Sequence, residues 1–361
     1  MAPKKKAASR SGRAEKDLHA TIIGSGLVVE QPVSETLEVN YMPYAMSVIV
    51  SRAIPEIDGF KPAHRKLLYT MYQMGLLSGN LVKSANIVGQ TMKLNPHGDA
   101  AIYDTLVRLS RGNETLLHPY IESKGSFGQA YSRDMVPAAY RYTEARLAKF
   151  SAEIFADISK DTVDFVDNYD ATMKEPTLLP VTFPSVLVNA NTGIAVGMAS
   201  SICSFNLSEV CETTVNFIRD PDTDIIDTLP APDFPGGGTV MYDADEMKKI
   251  YETGRGGFKV RGKYTYDKAY NCIDITQIPP TTNCESIIEK VIELVKLKKI
   301  TEINDIRDET GRDGMKITID LKRGIDPDKL MQKLFKLTPL EDTFSCNFNI
   351  LIAGSPRVMG I

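Results

Sequence analysis

The sequence lacks the features that mark membrane, disulfide-rich and metal-dependent proteins. No apolar run approaches the roughly 18 residues that a membrane-spanning helix needs, and the basic N-terminus has no apolar segment like that of a secretory signal. The five cysteines are scattered and form no C-x-x-C pair, which favours a reducing cytoplasm over a disulfide framework or a zinc site. Only four histidines occur, so we expect no histidine-based metal site.

Motifs for nucleotide and hydrolase chemistry are missing as well. There is no G-x-x-x-x-G-K-[ST], and the glycines of "FPGGG" precede neither a lysine nor a helix start, which indicates a turn. Aspartate pairs at 220–222, 243–245 and 326–328 lie among turn residues, where solvated turns explain them better than a magnesium site. No Ser–His–Asp or Cys–His set stands out, so any catalysis must use other groups.

The distribution of charge is uneven. The chain has a net charge of −4, yet residues 51–150 carry 13 Lys and Arg against 8 Asp and Glu, and residues 151–361 are strongly acidic. A basic segment inside an acidic chain points to a localised anionic partner such as nucleic acid, although random variation in surface charge is an alternative.

The pattern along the chain predicts an α+β protein of two domains after a basic flexible arm, residues 1–29. Residues 30–170 should hold short helices joined by tight turns: an interrupted helix over 34–53, then helices from Pro62, over 83–94, over 95–112 and from Thr143, with a β wing over 117–136. That arrangement is typical of a helix-turn-helix. Residues 171–361 alternate short strands, including "VLVNA", with helices such as 284–299, which predicts a second domain.

The basic segment collects anion-seeking side chains. Lys61, His64 and Arg65 cluster at a predicted helix N-terminus, where free N–H groups and the helix dipole favour phosphate. The full set is Arg52, Lys61, His64, Arg65, Lys66, His97, Arg108 and Arg141.

The stretch "AAYRYTEARL", residues 138–147, places an arginine between two tyrosines. A phenol with a pKa of roughly 10 attacks poorly unless a cation stabilises the phenolate. The adjacent Arg141 supplies such a cation, which suggests covalent chemistry on a DNA phosphate. From the residues alone a packed tyrosine beside a surface arginine is the more common occurrence, and the choice between Tyr140 and Tyr142 stays open.

This stretch resembles the AAxRYTExRL motif of the A subunit of bacterial type IIA DNA topoisomerases, gyrase and topoisomerase IV. "YAMSVIVSRAIPEIDGFKPAHRKLLYTM", "NPHGDAAIYDTLVRL", "TVDFVDNYDAT", "NTGIAVGMAS", "APDFPGGG", "YETGRGG" and "IRDETGRDGMKITIDLKR" follow in the family's order. The resemblance covers roughly residues 30–355. It implies a winged-helix DNA-binding domain over 30–170 and a tower domain over 171–361, without the family's coiled coil, second dimer gate and C-terminal domain.

The resemblance also implies roles. Tyr142 would form a transient 5′-phosphotyrosyl bond, Arg141 would stabilise the transition state, and Arg52 would contact the scissile phosphate region. The cut duplex would be held by Lys61, His64, Arg65, Lys66, Asn95, His97 and Arg108. Ile194, which on bare sequence reads as a buried strand residue, matches the wedge that unstacks a base step and bends the DNA.

Two departures from the family pattern affect these expectations. Asn95 stands where the family usually has histidine; it can hydrogen-bond phosphate but carries no charge. Ala100 stands where the family often has serine at the quinolone site, while Asp104 keeps the acidic position, so we expect weakened quinolone action.

The resemblance further implies an A2B2 heterotetramer on double-stranded DNA, containing a homodimer of this chain. Mg²⁺ and ATP would be held by the B subunit, and the enzyme would be cytoplasmic and chromosome-associated. The sequence does not separate gyrase from topoisomerase IV. A non-catalytic winged-helix regulator is the competing hypothesis, whereas a tyrosine recombinase or relaxase fails for want of an Arg-His-Arg set or a histidine cluster.

Overall fold

The structure, a computed structural model, describes residues 20–23, 26–311 and 314–361. The chain divides into two compact units, residues 1–46 and 47–361. In the first unit, strands β1 (Ala20–Ile23) and β2 (Gly26–Val29) pair antiparallel. The predicted flexible arm therefore contains regular structure at its end, and its first nineteen residues lie outside the described part.

Helix α1 covers Val33–Val48 and includes Pro43, so the interruption predicted at this proline is wrong. A π-helix, Ile49–Ala53, follows directly and ends at Ile54, whose backbone N–H bonds to Ile49 O.

Three helices form the predicted compact group after the π-helix. Helix α2 (Pro62–Gln73) begins with the proline that a first helical turn tolerates, and α3 (Ser84–Thr91) and α4 (Asp99–Leu109) follow after short connections. Apolar residues three and four apart point inward from each, so the three helices share one core: Leu67, Leu68, Met71, Ile87, Ile102 and Leu106 are at most 1% exposed.

A three-stranded antiparallel sheet packs against these helices, in the order β3 (Val82–Lys83), β5 (Glu144–Leu147) and β4 (Ile121–Lys124). The helix predicted from Thr143 is therefore wrong. Residues 144–147 are a strand with Ala145 and Leu147 facing the core, and a 3₁₀ helix, Lys149–Ile154, follows it. The predicted β wing is confirmed only as β4.

The chain then forms a small hairpin, β6 (Phe165–Asp167) with β7 (Lys174–Pro176), and a short helix α5 (Ser185–Val188). The strand predicted for "VLVNA" is therefore wrong, because residues 186–188 are helical and β8 begins only at Asn191. Strand β8 (Asn191–Ile194) pairs with β9 (Ala199–Ile202) as a tight hairpin.

This hairpin forms one edge of a five-stranded sheet, ordered β10 (Thr239–Met241), β11 (Arg255–Arg261), β16 (Glu341–Asn347), β9 and β8. Helices α6 (Leu207–Arg219) and α7 (Ala244–Thr253) begin at Asn206 and Asp243, whose side chains accept backbone N–H bonds as N-caps. Residues of both helices share a buried core with this sheet.

A second sheet is ordered β12 (Lys263–Asp267), β13 (Cys272–Gln277), β15 (Ile317–Leu321) and β14 (Ile303–Asp308). Helices α8 (Cys284–Lys296) and α9 (Pro327–Leu337) cover one face of it and bury the isoleucines of β13 and β15. Strands β17 (Asn349–Ile352) and β18 (Ser355–Val358) form a final hairpin.

The helices and strands together make an α+β protein, as the sequence predicts. The strands predicted in "FKVRGKY", "CIDITQI" and "MKITIDL" are confirmed as parts of β11 to β13 and as β15. Within the described residues, no helix combines the length and apolar character that crossing a membrane requires.

Candidate nucleic-acid interface

Tyr142 lies on an exposed loop directly before β5, not before a helix as the sequence suggested. Its side chain is 65% exposed, and its backbone N–H donates to Ala139 O at 2.9 Å. The Arg141 guanidinium carbon lies 4.8 Å from the centroid of its ring. The phenol is thus open to a large ligand, with a cation stacked on its face.

Both ends of this loop are anchored in the helical core. On one side Tyr103 Oη donates to Ala138 O at 2.7 Å. On the other, buried Thr143 donates through Oγ1 to Ser84 Oγ at 2.8 Å, and Ser84 N donates back to Thr143 O at 3.0 Å. The exposed pair Arg141–Tyr142 therefore sits between two fixed points.

Tyr140 takes part in a contact that the sequence did not reveal. Its hydroxyl donates to Asp99 Oδ2 at 2.8 Å, and this hydrogen bond to a carboxylate raises the pKa of the Tyr140 phenol. A phenol that gives up its proton less readily is a poorer nucleophile. The two tyrosines thus differ in environment, and Tyr142 is the one free of a carboxylate among the described residues.

Lys61, His64 and Arg108 lie close enough to affect one another's charge. Burial, followed by the nearby Arg108, lowers the pKa of Lys61 to about 8. Burial, then Lys61 and Arg108, lowers the pKa of His64 to about 3. At neutral pH His64 is therefore uncharged, and a neutral imidazole can contact phosphate only through a hydrogen bond.

Arg65 does not face an open surface. It is 6% exposed and binds Asp58 with two hydrogen bonds, Nε to Oδ2 at 2.8 Å and Nη2 to Oδ1 at 3.0 Å. Asp58 Oδ2 also accepts the Leu179 N–H at 2.9 Å, which joins the pair to a later segment. The expectation that Arg65 holds phosphate is not supported by its placement, because the guanidinium is already paired.

Two further residues predicted to contact phosphate are not exposed: Lys66 is partly buried and Asn95 is buried. Lys66 Nζ donates to Leu94 O at 2.9 Å and lies 3.2 Å from Glu175 Oε1. Asn95 is only 7% exposed. The Lys66 side chain therefore holds the turn before α4, and the burial of Asn95 does not support the phosphate contact expected of it.

The remaining predicted residues lie on exposed surface. Arg52 is on the last turn of the π-helix, and Arg108 is on the last turn of α4. His97, Ala100 and Asp104 are exposed at and after the start of α4. The structure thus leaves four of the eight predicted anion-seeking side chains exposed to solvent: Arg52, His97, Arg108 and Arg141.

Ile194 is 89% exposed at the tip of the β8–β9 hairpin, which contradicts the buried position that its strand pattern suggested. The hairpin is tied to the cationic surface, since Lys61 Nζ donates to Thr192 O at 2.6 Å. It also lies against the π-helix: a Cβ on Gly193 would stand 1.9 Å from Ala53 O, closer than any real contact. The hairpin that carries Ile194 therefore packs, through Gly193, against the π-helix that carries Arg52.

Within the described ranges, no group of three or more His, Cys, Asp or Glu side chains could hold a metal ion. The cysteines found there are free, and four of the five are buried.

The chain is similar to known proteins over most of its length. Residues 52–361 match the family described as the A subunit of DNA gyrase/topoisomerase IV. The DNA gyrase A subunit of Mycoplasma pneumoniae is 44% identical over 337 residues, which are 91% of this chain and 40% of that protein. The DNA gyrase A subunit of Borreliella burgdorferi is 41% identical, over 91% of this chain and 41% of its own length.

A similar relationship extends to a plant protein. The chloroplastic/mitochondrial DNA gyrase A subunit of Arabidopsis thaliana is 41% identical, over 89% of this chain and 35% of that protein. The chain thus spans about two fifths of the length of the curated relatives that it matches. On the match of residues 52–361, this chain belongs to the family of DNA gyrase and topoisomerase IV A subunits.

Proposed function

We propose that this chain is part of the DNA breakage-reunion subunit of an ATP-dependent type II topoisomerase. The single observation that carries the proposal is the exposed Tyr142 with Arg141 on its ring, in a chain of this family. Tyr142 Oη forms a bond to a DNA phosphorus and the bond from phosphorus to the 3′ oxygen breaks. The tyrosine's proton passes to solvent, and the leaving oxygen gains one as a 3′-hydroxyl.

Arg141 acts on the charge of this step. The guanidinium beside the phenol offsets the charge that develops on the phosphate oxygens. The phosphodiester energy is kept in the tyrosyl bond, so attack by the 3′-hydroxyl reseals the strand without a separate energy source.

The cut duplex is held by the exposed side chains of Arg52, Arg108 and His97, together with the partly buried Lys61. His64 contributes a neutral hydrogen-bonding group because its pKa is about 3. Arg65, Lys66 and Asn95 support the surface from within.

Ile194 acts as the wedge. An apolar side chain that is 89% exposed at a hairpin tip has no packing role of its own. Inserted between base pairs it would bend the DNA at a cost of a few kcal/mol, recovered through added contacts to the bent duplex.

We assign α2 to α4 with the β3-β5-β4 sheet to the winged-helix domain, residues 30–170, and residues 171–361 to the tower domain. The enzyme works on double-stranded DNA as an A2B2 assembly built on a homodimer of its A chains, and the B subunit holds Mg²⁺ and ATP. Strand passage then changes supercoiling or decatenates, and a supercoiling assay on the full-length protein separates gyrase from topoisomerase IV. We also propose that Ala100 and Asp104 lie at the quinolone site. An Ala100→Ser enzyme should be more sensitive to quinolones.

The test is to trap the covalent adduct. The full-length protein is combined with its B subunit, Mg²⁺ and plasmid DNA and quenched with detergent; we expect protein-linked DNA breaks. Tyr142→Phe should abolish them while duplex binding stays within about twofold, because a ring without a hydroxyl cannot form the ester. Adducts that persist in Tyr142→Phe contradict the assignment, and DNA binding without any adduct in the parent favours a non-catalytic DNA-binding protein.

A further inference from the structure

Tyr140 directly precedes the Arg141–Tyr142 pair, and its bond to Asp99 joins this loop to another element. Asp99 is the first residue of α4, and it lies 41 positions away along the chain. The ring of Tyr140 also meets the ring of buried Tyr103 edge-on, with centroids 5.7 Å apart. One side chain therefore fixes the loop to α4 by both a polar and an aromatic contact.

The side chain of Tyr142 has no such support. Within the described part of the chain its only side-chain partner is the stacked Arg141, and it is 65% exposed. The place of its hydroxyl therefore depends on the backbone of residues 140–142. Ala85 N donates to Tyr140 O at 3.2 Å, so Tyr140 is held by main chain as well as by side chain.

Asp99 is well suited to hold a phenol. A carboxylate in the first turn of a helix is favoured by the helix dipole, and a hydrogen bond to an ionised acceptor is stronger than one between neutral groups.

We propose that Tyr140 is a positioning residue for strand cleavage: its bond to Asp99 holds the loop of Arg141 and Tyr142 in place on α4 before a DNA phosphate arrives. The inference rests on the proposed function of Tyr142. Groups fixed before reaction avoid the entropy cost of ordering them in the transition state, so loss of the anchor should slow the chemical step more than it weakens binding.

The first test uses Tyr140→Phe, which removes the hydroxyl and keeps the ring against Tyr103. In the complete enzyme at saturating DNA, we expect single-turnover formation of the covalent adduct to slow by about 5- to 10-fold, the loss typical of one hydrogen bond. The Kd for duplex DNA should change less than about twofold. The matched control is Tyr264→Phe, which removes a similar bond to Asp328 at 2.9 Å far along the chain and should leave both quantities unchanged.

The second test asks whether the bond itself is responsible. Asp99→Asn retains an acceptor oxygen and should keep most of the cleavage rate, whereas Asp99→Ala should lose it. The double variant Tyr140→Phe/Asp99→Ala should be no slower than the slower single variant, since both changes remove one bond. Additive losses in the double variant would overturn the inference.

Two other outcomes would overturn it as well: an unchanged cleavage rate in Tyr140→Phe, or a loss explained wholly by a raised Kd. Tyr142→Phe separates this inference from the proposed function. If Tyr142→Phe forms no adduct and Tyr140→Phe cleaves normally, only the positioning role fails. If Tyr142→Phe still forms the adduct, the proposed function fails with it.

Discussion

The cations of the candidate interface and those of the sheet β12-β13-β15-β14 are treated differently by the fold. In the sheet, Arg307 contacts Asp305, Glu309 and Asp320, and Lys316 contacts Asp274 and Glu309. At the interface, Arg52, Lys61, Arg108 and Arg141 have no ion-pair partner within the described residues. Lys61 donates a hydrogen bond to a backbone carbonyl, and Arg141 stacks on a tyrosine ring.

The difference in pairing indicates which cations can attract an anion from outside the protein. Cations paired by neighbouring carboxylates have little attraction left for an outside anion. Cations that lie near one another without carboxylates repel, and partial burial of one of them has a cost that shows in the lowered pKa of Lys61. A fold that keeps such a group retains attraction for a ligand with negative charge, as DNA has.

The largest effect should come from breaking the buried pair of Arg65 and Asp58. Asp58→Ala leaves Arg65 buried without a partner and removes the acceptor of the Leu179 N–H. We expect the free energy of unfolding to fall by about 3–5 kcal/mol, measured by urea denaturation. Asp104→Ala, at an exposed aspartate of α4, should change it by less than about 0.5 kcal/mol; an equal loss in both variants would show that burial of the pair does not matter.

An intermediate effect should come from the titration of Lys61, which changes folding stability and DNA affinity in opposite directions. Its pKa of about 8 lies below the ordinary 10.5, so the native protein binds fewer protons than the unfolded chain between these values. Stability should therefore rise as pH increases through that window, while DNA affinity falls above pH 8 because the cation is lost.

Urea unfolding and DNA titrations at pH 7 and pH 9 measure both. In Lys61→Met the two pH effects should shrink together, and the slope of log affinity against log salt should drop by about 1. A variant with the parent's pH profile would refute the assignment of the proton to Lys61.

The smallest effect should come from the exposed network. Arg307→Met removes contacts to three carboxylates, yet all of these groups are partly open to water and screened. We expect a stability loss below about 1 kcal/mol and no change in DNA affinity. Thermal unfolding and filter binding suffice, and a weaker affinity for DNA would mean that paired cations of the sheet also attract the duplex.

Local pattern predicted the helices α2, α3, α4 and α8 well, because apolar spacing and an early proline act within a few residues. It failed at 144–147. A helical apolar spacing begins at Leu147 and continues through Phe150, Ile154, Phe155 and Ile158. Residues 144–147 nevertheless form β5, because they pair with β4 and β3 on either side. Pairing with segments tens of residues away leaves no trace in local periodicity.

The candidate site was predictable as a set of residues but not as an arrangement. The motif around Tyr142 located the loop, whereas nothing in composition showed that Arg65 meets Asp58 or that Tyr140 meets Asp99. Ile194 illustrates the same limit: the alternation of a short strand does not distinguish a core position from the tip of an edge hairpin.

The close approach of Gly193 to Ala53 has a consequence for how this chain tolerates mutation. Any side chain at 193 would begin with a carbon 1.9 Å from a backbone oxygen, so every replacement must push the hairpin from the π-helix. Ile194, 89% exposed, meets no such steric barrier. In a saturation screen scored for folding alone, substitutions should be rejected at position 193 and accepted at position 194. In a screen scored for DNA cleavage, substitutions should be rejected at both positions.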